Sequence, residues 1–373
     1  MDECGPFGKL LCIIIDHSLL VFQYFWNRHL LKPFITANQH SLILPLVQGF
    51  IAQKTFYSPA SSSGSAGESS SSPKSPFILT IISRRSTKRA GLRYLRRGID
   101  SEGNTANCVE TEQLLSIPVP PTAPSSTQTP SPNDIPPDQL PWHKSYSFVQ
   151  VRGSIPIYFQ QSPYALRPRP VLLHSEDSNR AAFEKHFGNL ESRYNGEVFC
   201  INLVERGSAE HIVGDKYEKY IEELNAKRQA TQSVSPQVGF NWFDFHRVCR
   251  GMKFEKVSQL LDEIDGTLEK FGWTEVLEGG SGEESREGQR ISSVQKGIVR
   301  TNCMDCLDRT NVVQSACGRR GKLTSTSPEL LGIANLVIQH WRSNSRRKEL
   351  TSVMTQLIGS ISFGLTMEML FPR

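Results

Sequence analysis

The sequence predicts a mixed α/β fold, because segments typical of strands alternate along the chain with segments typical of helices. Strands are predicted for the isoleucine-rich run "SPFILTIISRR" (75–85), for the alternating "SFVQVRGSIPIYF" (147–159) and for "EVFCINLVE" (197–205). Helices are predicted for "NRAAFEKHFGNLESRYN" (179–195) and "MKFEKVSQLLDEIDGTLEKFGW" (252–273). Interleaving of this kind indicates an α/β or α+β domain.

Each predicted helix has an apolar face that suits packing against a sheet. Large apolar residues recur at intervals of three or four, which is the spacing of one helical face. The first face holds Phe183, Phe187, Leu190 and Tyr194, and the second holds Phe254, Val257, Leu261, Ile264, Leu268 and Phe271.

The composition favours a globular protein in a reducing, cytosol-facing compartment. The chain has 373 residues, of which 38% are hydrophobic, which is enough for a sizeable core. Its net charge of +5 suits an anionic ligand or surface but is too small for a nucleic-acid-binding protein. The eight cysteines show no framework spacing, and no Asn-x-Ser/Thr sequon is present.

Two apolar segments near the termini are predicted to be parts of the fold. The first, an apolar run within 1–26, follows Asp2 and Glu3 and is interrupted by Asp16 and His17, so we expect core strands instead of a signal peptide or a spanning helix. The second, "VMTQLIGSISFGLTMEMLF" (353–371), is diluted by Gly, Ser, Thr and Gln, which favours a buried or interfacial helix over a membrane span.

Three polar segments divide the chain into folded blocks. Their composition cannot bury enough apolar surface to offset the entropy of ordering, so we expect a flexible serine-rich linker, a disordered proline-rich insertion and a surface loop. They span 58–76, 117–141 and 278–290, and leave blocks at 1–57, 77–116, 142–277 and 291–373.

The stretch "RTNCMDCLDRTN" (300–311) concentrates two cysteines, two aspartates and an arginine. A β-like run, "GIVRTN", precedes Cys303, and a helix-like pattern follows at 310–320, with Thr310 and Asn311 as N-cap residues. The motif is therefore predicted to lie between a strand and a helix N-terminus, where unpaired backbone N–H groups and the helix dipole favour an anion.

This placement suggests phosphate chemistry on sulfur. A thiol at a helix N-terminus can have a lowered pKa, so Cys303 is the predicted nucleophile, and Arg309, six residues later, can bind a phosphate through two hydrogen bonds. Attack would form a phosphocysteine, Thr310 would assist the sulfur as it leaves, and either Asp305 or Asp308 would protonate the departing oxygen. This chemistry requires neither a metal nor another cofactor.

Three other interpretations match the motif less well. Cys303 and Cys306 have the spacing of half a zinc site, but no second Cys-x-x-Cys or His pair completes it. A redox dithiol does not call for an arginine three residues further on. A purely structural segment is a poor match for so many charged residues clustered together.

Taken with its neighbours, the motif resembles the catalytic signature of the Sac-domain phosphoinositide phosphatases. The resembling string is "RTNCMDCLDRTNVVQS", and supporting segments occur in the family's order between Tyr24 and Arg319. They are "YFWNRHLLKPF" and "LILPLVQGF" upstream, then 83–113, 147–159, 201–210 and 243–249.

The resemblance implies a Sac catalytic domain with the remnant of a β-rich amino-terminal subdomain. The expected division is the remnant at 1–57, the linker at 58–76 and the catalytic domain at 77–373, whose part at 321–373 does not follow the family pattern. The family removes inositol-ring phosphate from membrane phosphoinositides without a metal. The branch it most resembles acts chiefly on phosphatidylinositol 4-phosphate at the cytosolic face of the endoplasmic reticulum and Golgi.

The resemblance also assigns roles to the loop. It implies that Cys303 is the nucleophile, that Arg309 binds phosphate, and that Asp305 and Asp308 are the loop carboxylates, one of which is the acid. We expect contact with the substrate from Arg300, Met304, Cys306 and Leu307. The expected partner is a phosphoinositide-containing membrane surface and not a nucleic acid. The alternative is a catalytically impaired module that binds phosphoinositides or regulates another protein.

Outside the loop, three features have weaker predictions. A basic run is expected either to face lipid headgroups or to be structural; it comprises Arg84, Arg85, Arg89, Arg93, Arg96 and Arg97. Ion pairs that stabilise the fold are predicted for Glu110, Glu112 and Arg152. His246 is interpreted as a core histidine, with orientation of the loop as the alternative.

Overall fold

The structure is a computed structural model, and it describes residues 22–57, 76–92, 95–118, 142–162, 164, 168–194, 196–251, 253–278, 289–304 and 308–320. The predicted strands before residue 22, the predicted helix at 353–371 and the whole of 321–373 lie outside these residues. Most of the three polar insertions lies outside them as well.

The described part is built on a mixed sheet of nine strands with the order β1-β2-β3-β4-β11-β7-β8 and a hairpin of β9 and β10 beside β4. A separate pair is formed by β5 (Phe159–Gln160) and β6 (Val171–Leu172). The strands of the main sheet are β1 (Gly49–Tyr57), β2 (Pro76–Arg85), β3 (Val109–Pro118), β4 (Trp142–Arg152), β7 (Glu197–Asn202), β8 (Gly239–Trp242), β9 (Thr274–Glu278), β10 (Gln289–Ser293) and β11 (Gly297–Asn302).

The sheet has an antiparallel half and a parallel half that meet at β4. Strands β1 to β4 form an antiparallel meander, whereas β4, β11, β7 and β8 run parallel to one another. Arg85, Val109, Arg152 and Thr301 are successive register partners across this junction. Strands β2, β4, β11, β7 and β8 therefore all end at one edge, which we call the carboxyl edge.

Helices cover both faces of the parallel half. Side chains alternate between the two faces of a strand. Ile298 of β11 therefore packs in the core with the helices at Glu176–Tyr194 and His211–Ala230, and Val299 packs in the core with the helices at Val257–Phe271 and Asp308–Arg320. The helices are α1 (Arg28–Thr36), α2 (Glu176–Tyr194), α3 (His211–Ala230), α4 (Phe245–Val248), α5 (Val257–Phe271) and α6 (Asp308–Arg320), and short 3₁₀ helices occur at Phe22–Tyr24, His40–Leu42 and Phe254–Lys256.

The predicted fold class is confirmed, and several boundaries are corrected. The strand predicted at 147–159 ends at Arg152, and Phe22–Tyr24 is a 3₁₀ helix instead of a strand. Strand pairing also continues into the predicted insertions, because β3 ends at Pro118 and β10 begins at Gln289. Among the described residues, no helix has the length and apolar character needed to cross a bilayer.

Candidate active site

The cysteine–arginine loop leaves the carboxyl edge from the most enclosed strand of the parallel half. All six residues of β11 are buried, because the strand lies between β4 and β7 and is covered by helices on both faces. Ligands of open α/β sheets bind outside the carboxyl ends of the strands. The predicted strand before Cys303 and the helix after the motif are thus confirmed, and they meet at this edge of the sheet.

Cys303 and the start of α6 form the two sides of the loop. Cys303 follows the last residue of β11 and is only 3% exposed. Helix α6 begins at Asp308, so the prediction that Thr310 and Asn311 cap it was wrong: both lie in its first turn and are buried. Asp308 is exposed at the first position, where a negative charge is favoured by the helix dipole.

Arg309 extends from the first turn of α6 towards the segment that follows β7. Its Nη1 donates to the Leu203 carbonyl oxygen and to Glu210 Oε2, each at 3.4 Å. Arg309 and Glu210 remain partly exposed, with 30% and 22% of their side-chain surfaces accessible. The guanidinium is therefore positioned by protein contacts and also accessible to an anion entering from solvent.

A second arginine, Arg97, contacts the loop from the other side. Its buried guanidinium donates from Nη1 to the Met304 carbonyl oxygen at 3.0 Å. The next residue, Gly98, has φ of +65°, and a Cβ there would lie 2.2 Å from the Ile157 carbonyl oxygen, so the turn that presents Arg97 requires glycine. Nothing in the local sequence distinguished Arg97 from the other arginines of the basic run.

Strand side chains hold α6 against the sheet. Arg152 at the end of β4 donates to Asn311 Oδ1, which ties this strand to the first turn of α6; its predicted ion pair stays a prediction. Gln150 donates to the Gln314 carbonyl oxygen at 3.0 Å. These bonds fix the helix whose N-terminus faces the loop.

Arg300 lies inside the protein, contrary to its predicted contact with substrate. It is 1% exposed, and its donors reach His186 Nε2 at 2.9 Å and the Ser154 carbonyl oxygen at 2.6 Å, with longer bonds to Tyr217 and Asn302. Because it shares the face of β11 that carries Ile298, its side chain points under α2 and α3.

His186 is the histidine that contacts β11, through Arg300. His246, which was predicted to lie in the core, is exposed. Burial, and then the neighbouring charge of Arg300, hold the pKa of His186 well below its usual value, and the hydrogen bond with the Gly103 carbonyl oxygen only partly opposes this. A neutral ring accepts the Arg300 bond at Nε2. Its position beside Phe187 on the apolar face of α2 was a usable signal in the sequence.

An asparagine pair joins β11 to β7 at the carboxyl edge. Asn302 Nδ2 donates to Asn202 Oδ1 at 2.7 Å, and both residues are fully buried. The Leu203 amide donates to the Asn302 carbonyl oxygen at 2.9 Å, so the segment that contacts Arg309 is tied to the strand that carries Cys303.

The thiols of Cys200 and Cys317 are unreactive at neutral pH. Burial raises the pKa of Cys200 to about 11 and that of Cys317 to about 12. Such thiols remain protonated at neutral pH and are poor nucleophiles.

Much of the basic run is structural. Arg84 pairs with Glu110 at 2.8 Å and with Glu112 at 2.6 Å, which confirms the predicted ion pairs of both glutamates. Arg85 and Arg89 donate to backbone carbonyl oxygens of nearby turns. Arg93 lies outside the described residues, and Arg96 is exposed.

Four further loop residues had predicted roles in catalysis or substrate contact. Met304 is buried, and it contacts Arg97 through its carbonyl oxygen. Asp305, Cys306 and Leu307 lie outside the described residues, so the roles of these three stay predictions.

Together these features define an α/β protein in which Cys303 and Arg309 lie between the carboxyl end of a buried parallel strand and the N-terminus of a helix. Residues 15–250 match the family described as the SacI homology domain. The chain therefore belongs to the Sac-domain phosphoinositide phosphatase family.

Individual relatives agree with this assignment. The chain is 36% identical over 313 residues to the phosphatidylinositide phosphatase SAC2 of Homo sapiens and 34% identical to that of Danio rerio; these matches cover 80% of this chain and 24% of each relative. It is 33% identical over 299 residues to the phosphatidylinositol-3-phosphatase SAC1 of Drosophila melanogaster, covering 80% of this chain and 41% of that protein. The chain thus spans about a quarter of the length of these SAC2 relatives.

Proposed function

We propose that this chain is a phosphoinositide phosphatase that hydrolyses an inositol-ring monophosphate of a membrane lipid, with phosphatidylinositol 4-phosphate as the substrate. The observation that carries the proposal is the placement of Cys303 and Arg309 on the two sides of a loop between the buried strand β11 and the N-terminus of α6. Family membership supplies the class of substrate.

Cys303 is the proposed nucleophile. Its thiolate attacks phosphorus, a sulfur–phosphorus bond forms, and the bond from phosphorus to the inositol oxygen breaks. Backbone N–H groups of the loop and the N-terminus of α6 stabilise the negative charge of the transition state. Water then attacks the phosphocysteine and releases inorganic phosphate, with Thr310 donating to the departing sulfur.

Arg309 is the proposed phosphate-binding residue. The guanidinium is planar and can donate two parallel hydrogen bonds to phosphate oxygens, which the point charge of a lysine cannot. Its partial exposure leaves it accessible to the substrate. Because arginine and backbone amides neutralise the phosphate, the proposed reaction needs no metal.

A carboxylic acid must protonate the inositol oxygen as it leaves. Asp305 and Asp308 are the two proposed candidates. Asp308 is exposed at the start of α6, so it can take up a proton from solvent between turnovers.

The position of the phosphate on the ring and the location of the protein are the finer parts of the proposal. The 4-phosphate, and the cytosolic face of the endoplasmic reticulum or Golgi, follow from the branch that the motif resembles. The SAC1 relative bears the name of a 3-phosphatase. A substrate panel must therefore include the 3-, 4- and 5-monophosphates.

The test is phosphate release by the full chain from this panel in the presence of a chelator. We expect release from phosphatidylinositol 4-phosphate, its loss in Cys303→Ser and severe impairment in Arg309→Lys. Cys108→Ser, which replaces a thiol outside the loop, is the matched control and should retain activity. Full activity of Cys303→Ser would contradict the phosphocysteine mechanism, and chelator-sensitive release would contradict metal independence.

The same assay separates the enzyme from a binding module. If the parent chain binds phosphoinositide vesicles but releases no phosphate from any member of the panel, the chain is a binding module, and the proposal of catalysis is wrong.

A further inference from the structure

The segment from Phe22 to Tyr57 carries an apolar surface that the described fold leaves uncovered. Helix α1 is amphipathic, and none of its residues is buried. Leu30 is 67% exposed and Leu44 is 81% exposed. We call the exposed apolar residues of α1 and of the stretch between α1 and β1 the leucine platform; its members are Leu30, Phe34, Leu42, Leu44 and Leu46.

The platform is one connected unit. Asn27 Nδ2 donates to the Leu44 carbonyl oxygen at 3.0 Å, and Asn27 Oδ1 accepts from the Leu46 amide at 2.6 Å. The Trp26 amide donates to the Leu46 carbonyl oxygen at 2.8 Å. The start of α1 and the segment before β1 are therefore held together, which distinguishes the platform from isolated surface leucines.

The charged side chains of this segment are all basic. Residues 22–57 contain no aspartate or glutamate, and their formal charges come from Arg28, Lys32 and Lys54. On α1, Arg28 and Lys32 occupy one side, and Leu30 and Phe34 occupy the other. Cations beside an uncovered apolar stripe are typical of helices that lie in the interface of an anionic membrane.

The platform and the proposed active site lie at the same edge of the sheet. Trp26 Nε1 donates to the carbonyl oxygen of Arg85, the last residue of β2, at 2.9 Å. Arg85 stands in the same row across the sheet as Thr301, three strands away, which is about 14 Å at the usual strand spacing. The platform is therefore attached at the edge of the sheet from which Cys303 follows.

We propose that the leucine platform is a membrane-docking surface that inserts its apolar side chains among the lipids of an anionic leaflet, with Lys32 against the headgroups. The inference rests on the proposed function for the nature of the leaflet, since a lipid phosphatase must work at one. A second copy of the chain would not need the cationic side of α1, whereas an anionic leaflet uses both sides of an amphipathic helix.

The test is co-sedimentation of the full chain with phosphatidylcholine vesicles, with and without about 20% phosphatidylserine. No phosphoinositide is present, so binding is measured independently of turnover. We expect binding to the anionic vesicles to exceed binding to the neutral vesicles. Leu30→Gln with Leu44→Gln should weaken the partition coefficient about tenfold, and Lys32→Glu should weaken it at least about fivefold.

Matched controls lie at the opposite edge of the sheet. Val234 precedes β8 and is fully exposed, and Lys296 precedes β11 and is also exposed. Val234→Gln and Lys296→Glu should bind vesicles like the parent chain. Because all of these positions are exposed, thermal unfolding of every variant should match the parent and exclude a folding defect.

Several outcomes would overturn the proposal. They are equal binding to neutral and anionic vesicles, parental binding by the platform variants, and equal loss in the control variants. Self-association that the platform variants abolish, without a change in vesicle binding, would instead assign the surface to a second copy.

Failure of docking can be told apart from failure of the proposed function. Hydrolysis of a short-chain, water-soluble phosphatidylinositol 4-phosphate should be unchanged in the platform variants, whereas hydrolysis of the same headgroup in vesicles should fall with binding. If the parent chain hydrolyses the water-soluble substrate but does not bind vesicles, only the proposal of a docking surface is overturned. Vesicle binding with no hydrolysis in either form overturns the enzyme alone.

Discussion

The guanidinium of Arg97 donates a hydrogen bond of 3.0 Å to the carbonyl oxygen of Met304, although the two residues are 207 positions apart in the chain. Both residues are buried, so the bond is shielded from water. It joins the glycine-containing turn after β2 to the residue that follows Cys303. We therefore assign Arg97 the role of positioning the loop.

Replacement of Arg97 by methionine should remove that positioning. A buried carbonyl that loses its donor costs about 1–3 kcal/mol of stability, and displacement of the loop by even about 1 Å can lower kcat/KM on the order of a hundredfold. The measurements are urea unfolding and phosphate release at several substrate concentrations, and kcat should fall more than KM rises. Arg97→Lys, which can still donate one bond, should recover part of kcat.

Arg96→Met is the matched control, because Arg96 is the exposed neighbour of Arg97. It should behave like the parent chain in both measurements. A parental kcat in Arg97→Met would show that the loop holds its shape without this bond.

Glu210 should tune Arg309, the proposed phosphate-binding arginine. Its carboxylate lies 3.4 Å from Arg309, and the pair is partly exposed, so its contribution is at most about 1 kcal/mol. Glu210→Gln should loosen the guanidinium and raise the inhibition constant of inorganic phosphate about threefold, a factor within that free energy. Glu222→Gln, an exposed change on α3, is the control and should leave the inhibition constant of phosphate unchanged. Tighter inhibition by phosphate in Glu210→Gln would contradict the prediction, because it would mean that the Glu210 carboxylate competes with phosphate for Arg309.

Local sequence patterns were enough to predict the strand and the helix of the site. The β-like apolar run "GIVRTN" coincides with β11, although its burial on both faces and its parallel pairing come only from the structure. The apolar faces of α2 and α5 were predicted as well, since helical spacing directly records which side is buried.

Contacts between distant segments were not predictable in this way. The bonds from Arg97 to Met304 and from Arg152 to Asn311 depend on which strands become neighbours, and one chain's local pattern does not record that. The burial of Arg300 was not predictable either. Alternation along the strand places Arg300 on the face of Ile298, but the local pattern does not record that helices cover this face.

The ion pair network of Arg84 should contribute stability and not lipid binding. Arg84 contacts Glu110 and Glu112, and each of the three side chains is about one-tenth exposed. Arg84→Met would leave two buried carboxylates without their cation, which typically costs about 3–5 kcal/mol. Urea unfolding should show this loss, whereas Lys88→Met, an exposed change in the same basic run, should unfold like the parent. Parental stability in Arg84→Met together with weaker vesicle binding would instead support a headgroup role.

Acid should destabilise the fold through His186. Burial and the charge of Arg300 hold the pKa of His186 well below 6.5 in the folded chain, whereas an unfolded histidine titrates near about 6.5. Above that pH, His186 is neutral in both the folded and the unfolded chain, so it does not make the free energy of unfolding depend on pH. Below it the unfolded chain binds a proton that the folded chain does not, so the free energy of unfolding falls by up to about 1.4 kcal/mol per pH unit.

The measurement is urea unfolding at pH 7.5 and at successively lower pH, in the parent and in His186→Gln. Glutamine can still accept the bond from Arg300 but does not titrate, so its stability should depend less on pH below about 6.5. His246→Gln removes an exposed histidine and should keep the parental dependence. If His186→Gln lost stability in acid as steeply as the parent, the acid sensitivity would have to come from other groups, and the buried neutral ring under β11 would not be its cause.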